Sequence, residues 1–120
     1  MPHVHCIGEW INSTLIPRTT GQREDDGRIT VDSHSGGTFT GRHHNTGASL
    51  VNTSCDGVTL TFTRITALET VTYSGRIRIM SPTLDIIEGG TFVRVKNIFD
   101  LAGHGEMLVD SGDWTAEKPT

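Results

Sequence analysis

Two stretches of strict period-two alternation constrain this chain more than any other feature. Over 58–63, Val58, Leu60 and Phe62 alternate with Thr59, Thr61 and Thr63. Over 71–79, Val71, Tyr73, Gly75, Ile77 and Ile79 alternate with Thr72, Ser74, Arg76 and Arg78. Successive strand side chains point to opposite faces, so each stretch reads as a strand with one dry and one wet face. No segment of useful length carries the period of a helix. Extended along the chain, the pattern predicts eight strands near 4–11, 27–33, 37–43, 48–54, 57–65, 69–80, 84–96 and 105–118. Asp25-Asp26-Gly27, Ser35-Gly36-Gly37 and Cys55-Asp56-Gly57 read as turns with glycine at positive φ. Gly41, Gly75 and Gly89-Gly90 lie inside strands and predict bulges or bends.

Short connections favour antiparallel neighbours, and eight such strands close into an up-and-down barrel without exposed edges. The expectation is therefore all-β: one eight-stranded antiparallel barrel domain over 1–120. A two-sheet jelly roll or cupin-like sandwich is the rival. In a barrel, the 1–2, 3–4, 5–6 and 7–8 loops share one mouth. The two longest, 12–26 and 97–104, are in that set and mark it as the ligand entrance. The apolar fraction of 34% is low, which suits a barrel interior left partly open to a ligand.

With 10 Lys and Arg scattered along the chain and a net charge of −4, no nucleic-acid surface is expected. No apolar run approaches the roughly 20 residues that span a bilayer, and the first residues lack a signal peptide's pattern. The chain thus reads as soluble and cytoplasmic, with no membrane partner. Cys6 and Cys55 are too few for a disulfide scaffold and form no Cys-x-x-Cys pair, so they read as two reduced thiols.

Four segments, in order, resemble the avidin and streptavidin family within the wider calycin group of barrels. Gly8-Glu9-Trp10-Ile11-Asn12-Ser13 is similar to the family's first strand, Gly-x-Trp-x-Asn followed by a Ser. Phe39-Thr40-Gly41-Arg42-His43 resembles a third strand ending Thr-Gly-x-Tyr, and Thr72-Tyr73-Ser74-Gly75-Arg76 a sixth-strand Trp-Ser-Gly-x-Tyr. Ser111-Gly112-Asp113-Trp114-Thr115 resembles the final strand, where Gly and Asp precede an aromatic residue and a Thr. The resemblance implies a small-molecule-binding barrel for a hydrophobic or mixed polar and aromatic ligand. Trp10, Phe39, Phe62 and Tyr73 would line its wall or floor, and Asn12, Ser13, His43 and Asp113 would supply polar contacts. It also implies association of the outer faces of the later strands into a homo-oligomer; Val93 and Val95 lie opposite Phe92 and Arg94, so some apolar area stays outside whichever face is inward. High-affinity biotin binding is not expected: Phe62 and Tyr73 stand where the family has tryptophans, and His43 replaces a tyrosine.

Two alternatives remain. One is an isomerase- or cyclase-type enzyme using His43 with Asp113 or Glu9 as acid and base; the other is a structural module with a filled interior. Of the six histidines, His3 and His5 share a strand face with Glu9, in the manner of a cupin metal motif. The second His-bearing motif is missing, so no metal is expected. His43, His44 and His104 fall in mouth loops. No phosphate loop, nucleophile elbow or Gly-x-Gly-x-x-Gly is present, and no cofactor is implied. Arg76 and Arg78 are expected to face solvent.

Overall fold

The computed structural model describes residues 5–99, 103 and 105–120. Eight strands follow in order: β1 (Gly8–Pro17), β2 (Glu24–Ser35), β3 (Thr38–His43), β4 (Leu50–Cys55), β5 (Thr59–Ile65), β6 (Glu69–Ser81), β7 (Leu84–Phe99) and β8 (Gly105–Pro119). All pairings are antiparallel, in the order β3-β2-β1-β8-β7-β6-β5-β4. The β1–β8 pairing curls this meander into a nearly closed up-and-down barrel, and the described residues contain no helix.

The seam lies between β3 and β4. Val51 and Ser54 of β4 are out of step against β5, and Asn52 between them is left-handed at φ 49. A bulge there turns β4 away from a regular ladder with β3. Thr53 substitutes for the lost bonds: its hydroxyl accepts from Phe39 N at 3.0 Å and donates to Phe39 O at 2.7 Å. Arg42 bridges Ser49, and His43 N and Cys55 N bond Ala48 O and Gly37 O, closing both ends of the seam.

Bulges also decide which side chains reach the interior. Between Trp10 and Ser13, β1 carries one residue more than either neighbour, with Asn12 at φ 52. The extra residue reverses the alternation: Trp10 points inward, Asn12 outward, and Ser13 and Leu15 inward again. This is why β1 runs on to Pro17 and the expected 12–26 loop shrinks. In β2, Asp26 is the extra residue opposite Ser13 and Thr14, so Asp25-Asp26-Gly27 is a bulge within a strand, not a turn. Gly89, at φ 63, and Gly90 form the bulge of β7, as their position inside a strand predicts.

Phe39, Phe62, Tyr73, Phe92 and Trp114 are buried and fill the middle of the barrel, with Trp10 buried toward its closed end. Phe62 stacks on Tyr73 with centroids 4.6 Å apart, and Trp114 meets both edge-on at 5.5 and 5.2 Å. Cys6 and Cys55 are joined by a disulfide across the closed end, correcting the expectation of two reduced thiols. Their 49-residue separation hid a proximity that only the barrel creates. Arg76 and Arg78 face solvent, as expected, Arg78 pairing with Glu88.

Candidate functional site

Above the aromatic layer, at the mouth shared by the 1–2, 3–4, 5–6 and 7–8 connections, a polar cluster is built around Asp26. Asp26 is 4% exposed, and four groups surround its carboxylate. Ser13 Oγ donates to Oδ2 at 2.7 Å and Tyr73 OH to the same oxygen at 2.9 Å. His43 Nε2 donates to Oδ1 at 2.9 Å, and Arg64 Nη2 lies 3.5 Å from that oxygen. Further donors hold these groups in turn. Trp114 Nε1 donates to Ser13 Oγ at 2.9 Å, and Arg64 Nε to Tyr73 OH at 2.9 Å. An ionised carboxylate only accepts, so the bonded Nε2 carries a proton, and the ring's Nδ1 meets the Thr46 hydroxyl at 2.8 Å.

Burial by itself would raise the Asp26 pKa. The hydrogen bond and positive charge of His43, with the Ser13 and Tyr73 bonds, outweigh it and hold the carboxyl below its ordinary value. Burial and the Asp26 charge push the Tyr73 phenol well above its usual range, so it stays a protonated donor. Arg64 loses from burial but gains more from Tyr73, Glu69 and Asp26, and remains a cation. The buried charges form a neutralised set, which low-dielectric surroundings require.

A pocket of about 250 Å³ opens over this cluster, lined by Leu15, Asp26, His43, Asn45, Thr46, Arg64, Glu69, Arg94 and Lys96 with Glu24 and Asp25. One wall is saturated: Arg94 makes paired bonds to both Glu24 (2.9 and 3.1 Å) and Asp110 (3.1 and 2.8 Å). The Arg94 bonds draw the Glu24 pKa down. The other wall is not saturated. Arg64 Nη1 is buried without a hydrogen bond. Glu69 Oε1 lies 2.9 Å away, within ion-pair range but off the line of an N–H bond.

The structure brings Ser13, His43 and Tyr73 of the expected site residues into this cluster. Phe39 and Phe62 lie below it in the aromatic core, 6.3 Å apart and edge-on. Trp10 sits at the closed end, its Nε1 donating to Cys6 O at 3.2 Å. Two expected polar contacts are displaced. Asn12 is turned out by the β1 bulge and bonds Glu117 at 2.7 Å. Asp113 is exposed on the outer face, because Trp114 takes the inward position. His43 meets neither of its expected acid–base partners: Glu9 is exposed and pairs with Arg28 at 3.5 Å.

Asp26, Arg64, Glu69 and Trp114 escaped the sequence reading. Two of them had a signal. Leu60, Phe62 and Arg64 continue one period-two series, and Gly112, Trp114 and Ala116 another. Asp26 had none, because a bulge breaks its alternation. His5 Nδ1 contacts Asp85 at 3.1 Å, His3 and His104 lie outside the described residues, and among the described residues no three His, Cys, Asp or Glu side chains converge on a metal position. No family model, curated protein or solved structure matches this chain.

Proposed function

We propose that this barrel binds a small polar molecule at its mouth, in the pocket between Asp26, His43, Arg64 and Lys96. Arg64 Nη1 carries the reading. A buried cationic donor held by a carboxylate at ion-pair distance but without a directed bond keeps part of its desolvation cost, and here it flanks a pocket open to solvent. A ligand acceptor would remove that cost. The ligand is polar, not the hydrophobic one a wide barrel would take, since the aromatic stack fills the space beneath. The same stack argues against a biotin-like occupant of the interior. Binding is favoured over acid–base catalysis because Asp26 and His43 already use both of their proton-exchanging atoms within the protein.

A thermal-shift screen of small polar compounds should find stabilising ligands. His43→Gln should then weaken binding by about 1–2 kcal/mol. A hit that ignores this substitution would move the site away from the mouth. A screen with no hits, alongside an interior closed to solvent, would favour the filled structural module instead.

Two further readings accompany this one. Homo-oligomerisation is supported by apolar side chains on the outer face of β5–β8, where Ile65, Val93, Met107 and Val109 are each about half exposed or more. Light scattering should report more than one chain mass. No helix of the described residues is long and apolar enough to cross a membrane. The Cys6–Cys55 disulfide weighs against the reducing cytoplasm as its compartment.

A further inference from the structure

Glu69 begins β6 at the rim of the mouth and, among the described residues, is the carboxylate placed directly before the Arg64 nitrogen that lacks a directed hydrogen bond. Its hold there is poor. The contact with Nη1 has ion-pair distance without hydrogen-bond direction, and its second oxygen reaches only Lys96 Nζ, at 4.0 Å. Arg94, by contrast, meets its two carboxylates with four directed bonds. A guanidinium favours carboxylates in paired, in-plane geometry. The Arg64 Nη1 edge has a carboxylate beside it and no such bond. Arg64 from β5 and Arg94 and Lys96 from β7 face this space; Arg94 is saturated by Glu24 and Asp110, while Lys96 is half exposed and reaches no other carboxylate at ion-pair distance among the described contacts.

We propose that the mouth pocket takes a small carboxylate, and that Glu69 is an internal stand-in which this ligand displaces from Arg64. The inference rests on the mouth being a ligand site and adds the ligand's class and a competitor within the chain. A ligand carboxylate entering the pocket would bond Arg64 Nη1 in line and approach Lys96. Glu69, with its side chain already partly exposed, would swing toward solvent. The pocket's volume of about 250 Å³ limits the ligand to a few carbons or one ring.

Calorimetry with acetate, propionate and benzoate, against propylamine and acetamide, tests this. Glu69→Gln should tighten carboxylate binding about tenfold or more, because the competitor's charge is gone. Asp25→Asn removes the same charge from another rim position and keeps the side-chain oxygen that caps Gly27 N. It should tighten binding less than about threefold, the size of a screened rim effect. Lys96→Met should weaken carboxylates and leave acetamide unchanged. Equal gains from Glu69→Gln and Asp25→Asn would reduce Glu69 to one charge among several and overturn the stand-in. Binding of propylamine or acetamide but not carboxylates would overturn the ligand class while the mouth site survived. If no compound bound even to Glu69→Gln, the mouth site itself would fall with the inference.

Discussion

Asp26 shows how a single residue organises the polar layer. Its carboxylate is held ionised by His43, Ser13, Tyr73 and Arg64, below its ordinary pKa of 3.8. The sign of the pH dependence follows. A depressed folded-state pKa stabilises the fold above the unfolded value, and this contribution is lost as pH falls through the folded one. Urea unfolding of the native chain should therefore weaken steeply below about pH 4. Asp26→Asn should cost about 3–5 kcal/mol at pH 7, because it leaves Arg64 buried with less compensation. The variant should also lose part of the acid slope. An unchanged slope would mean that another carboxylate governs acid stability. Asp26 was the residue least legible in the sequence: next to a Gly, it has the signature of a turn, and only pairing with Ser13 and Thr14 shows that it is a bulge pointing inward. Arg64 was legible in principle, since Leu60 and Phe62 set its face, but a charged residue there contradicts the expectation of a dry interior.

At the scale of the strands, regular alternation was read correctly over most of the regular ladder. β5 and β6 pair residue for residue from Thr59–Arg76 to Ile65–Thr70, and over Leu60–Phe62 and Val71–Gly75 the inward and outward sets are those of the sequence, whereas Val58 and Ile79, expected inward, are exposed and Thr63 is buried. The reading failed where a residue is inserted. At Asn12 the inward parity changes, so a resemblance that aligned Asn12 and Ser13 as neighbours in one site met a strand that turns them to opposite faces. Near 113–114 the resemblance favoured Asp113 while alternation with Ala116 favoured Trp114, and alternation prevailed. The β7 bulge supplies a test. Gly90 packs so closely that an added Cβ would stand 2.2 Å from Trp114 O. Gly90→Ala must shift β7 against β8, beneath the indole that holds Ser13. It should destabilise the protein by about 1–3 kcal/mol, and indole fluorescence should change. A neutral effect on both would show that the bulge is not fixed by this contact.

The whole molecule divides along its axis. The closed end is stapled by the Cys6–Cys55 disulfide and by Lys118, whose Nζ bonds His5 O and Ile7 O and lies 3.5 Å from Asp85. Burial lowers the Lys118 pKa, with the nearby Asp85 charge opposing it. The middle is filled by aromatic rings, and among the described residues only the mouth combines open space with a buried donor that lacks a directed hydrogen bond. The barrel and its mouth were legible because strand count, short turns and loop order are properties of the chain. Whether the interior is open was not, because it depends on how six aromatic side chains pack. Proton–nitrogen correlation spectra recorded during titration with a compound from the thermal-shift screen test the central claim most directly. Shifts should concentrate at Asp26, His43, Asn45, Arg64 and Lys96, with Cys6, Trp10 and Lys118 still. Shifts confined to the closed end, around His5, Asp85 and Lys118, would contradict it.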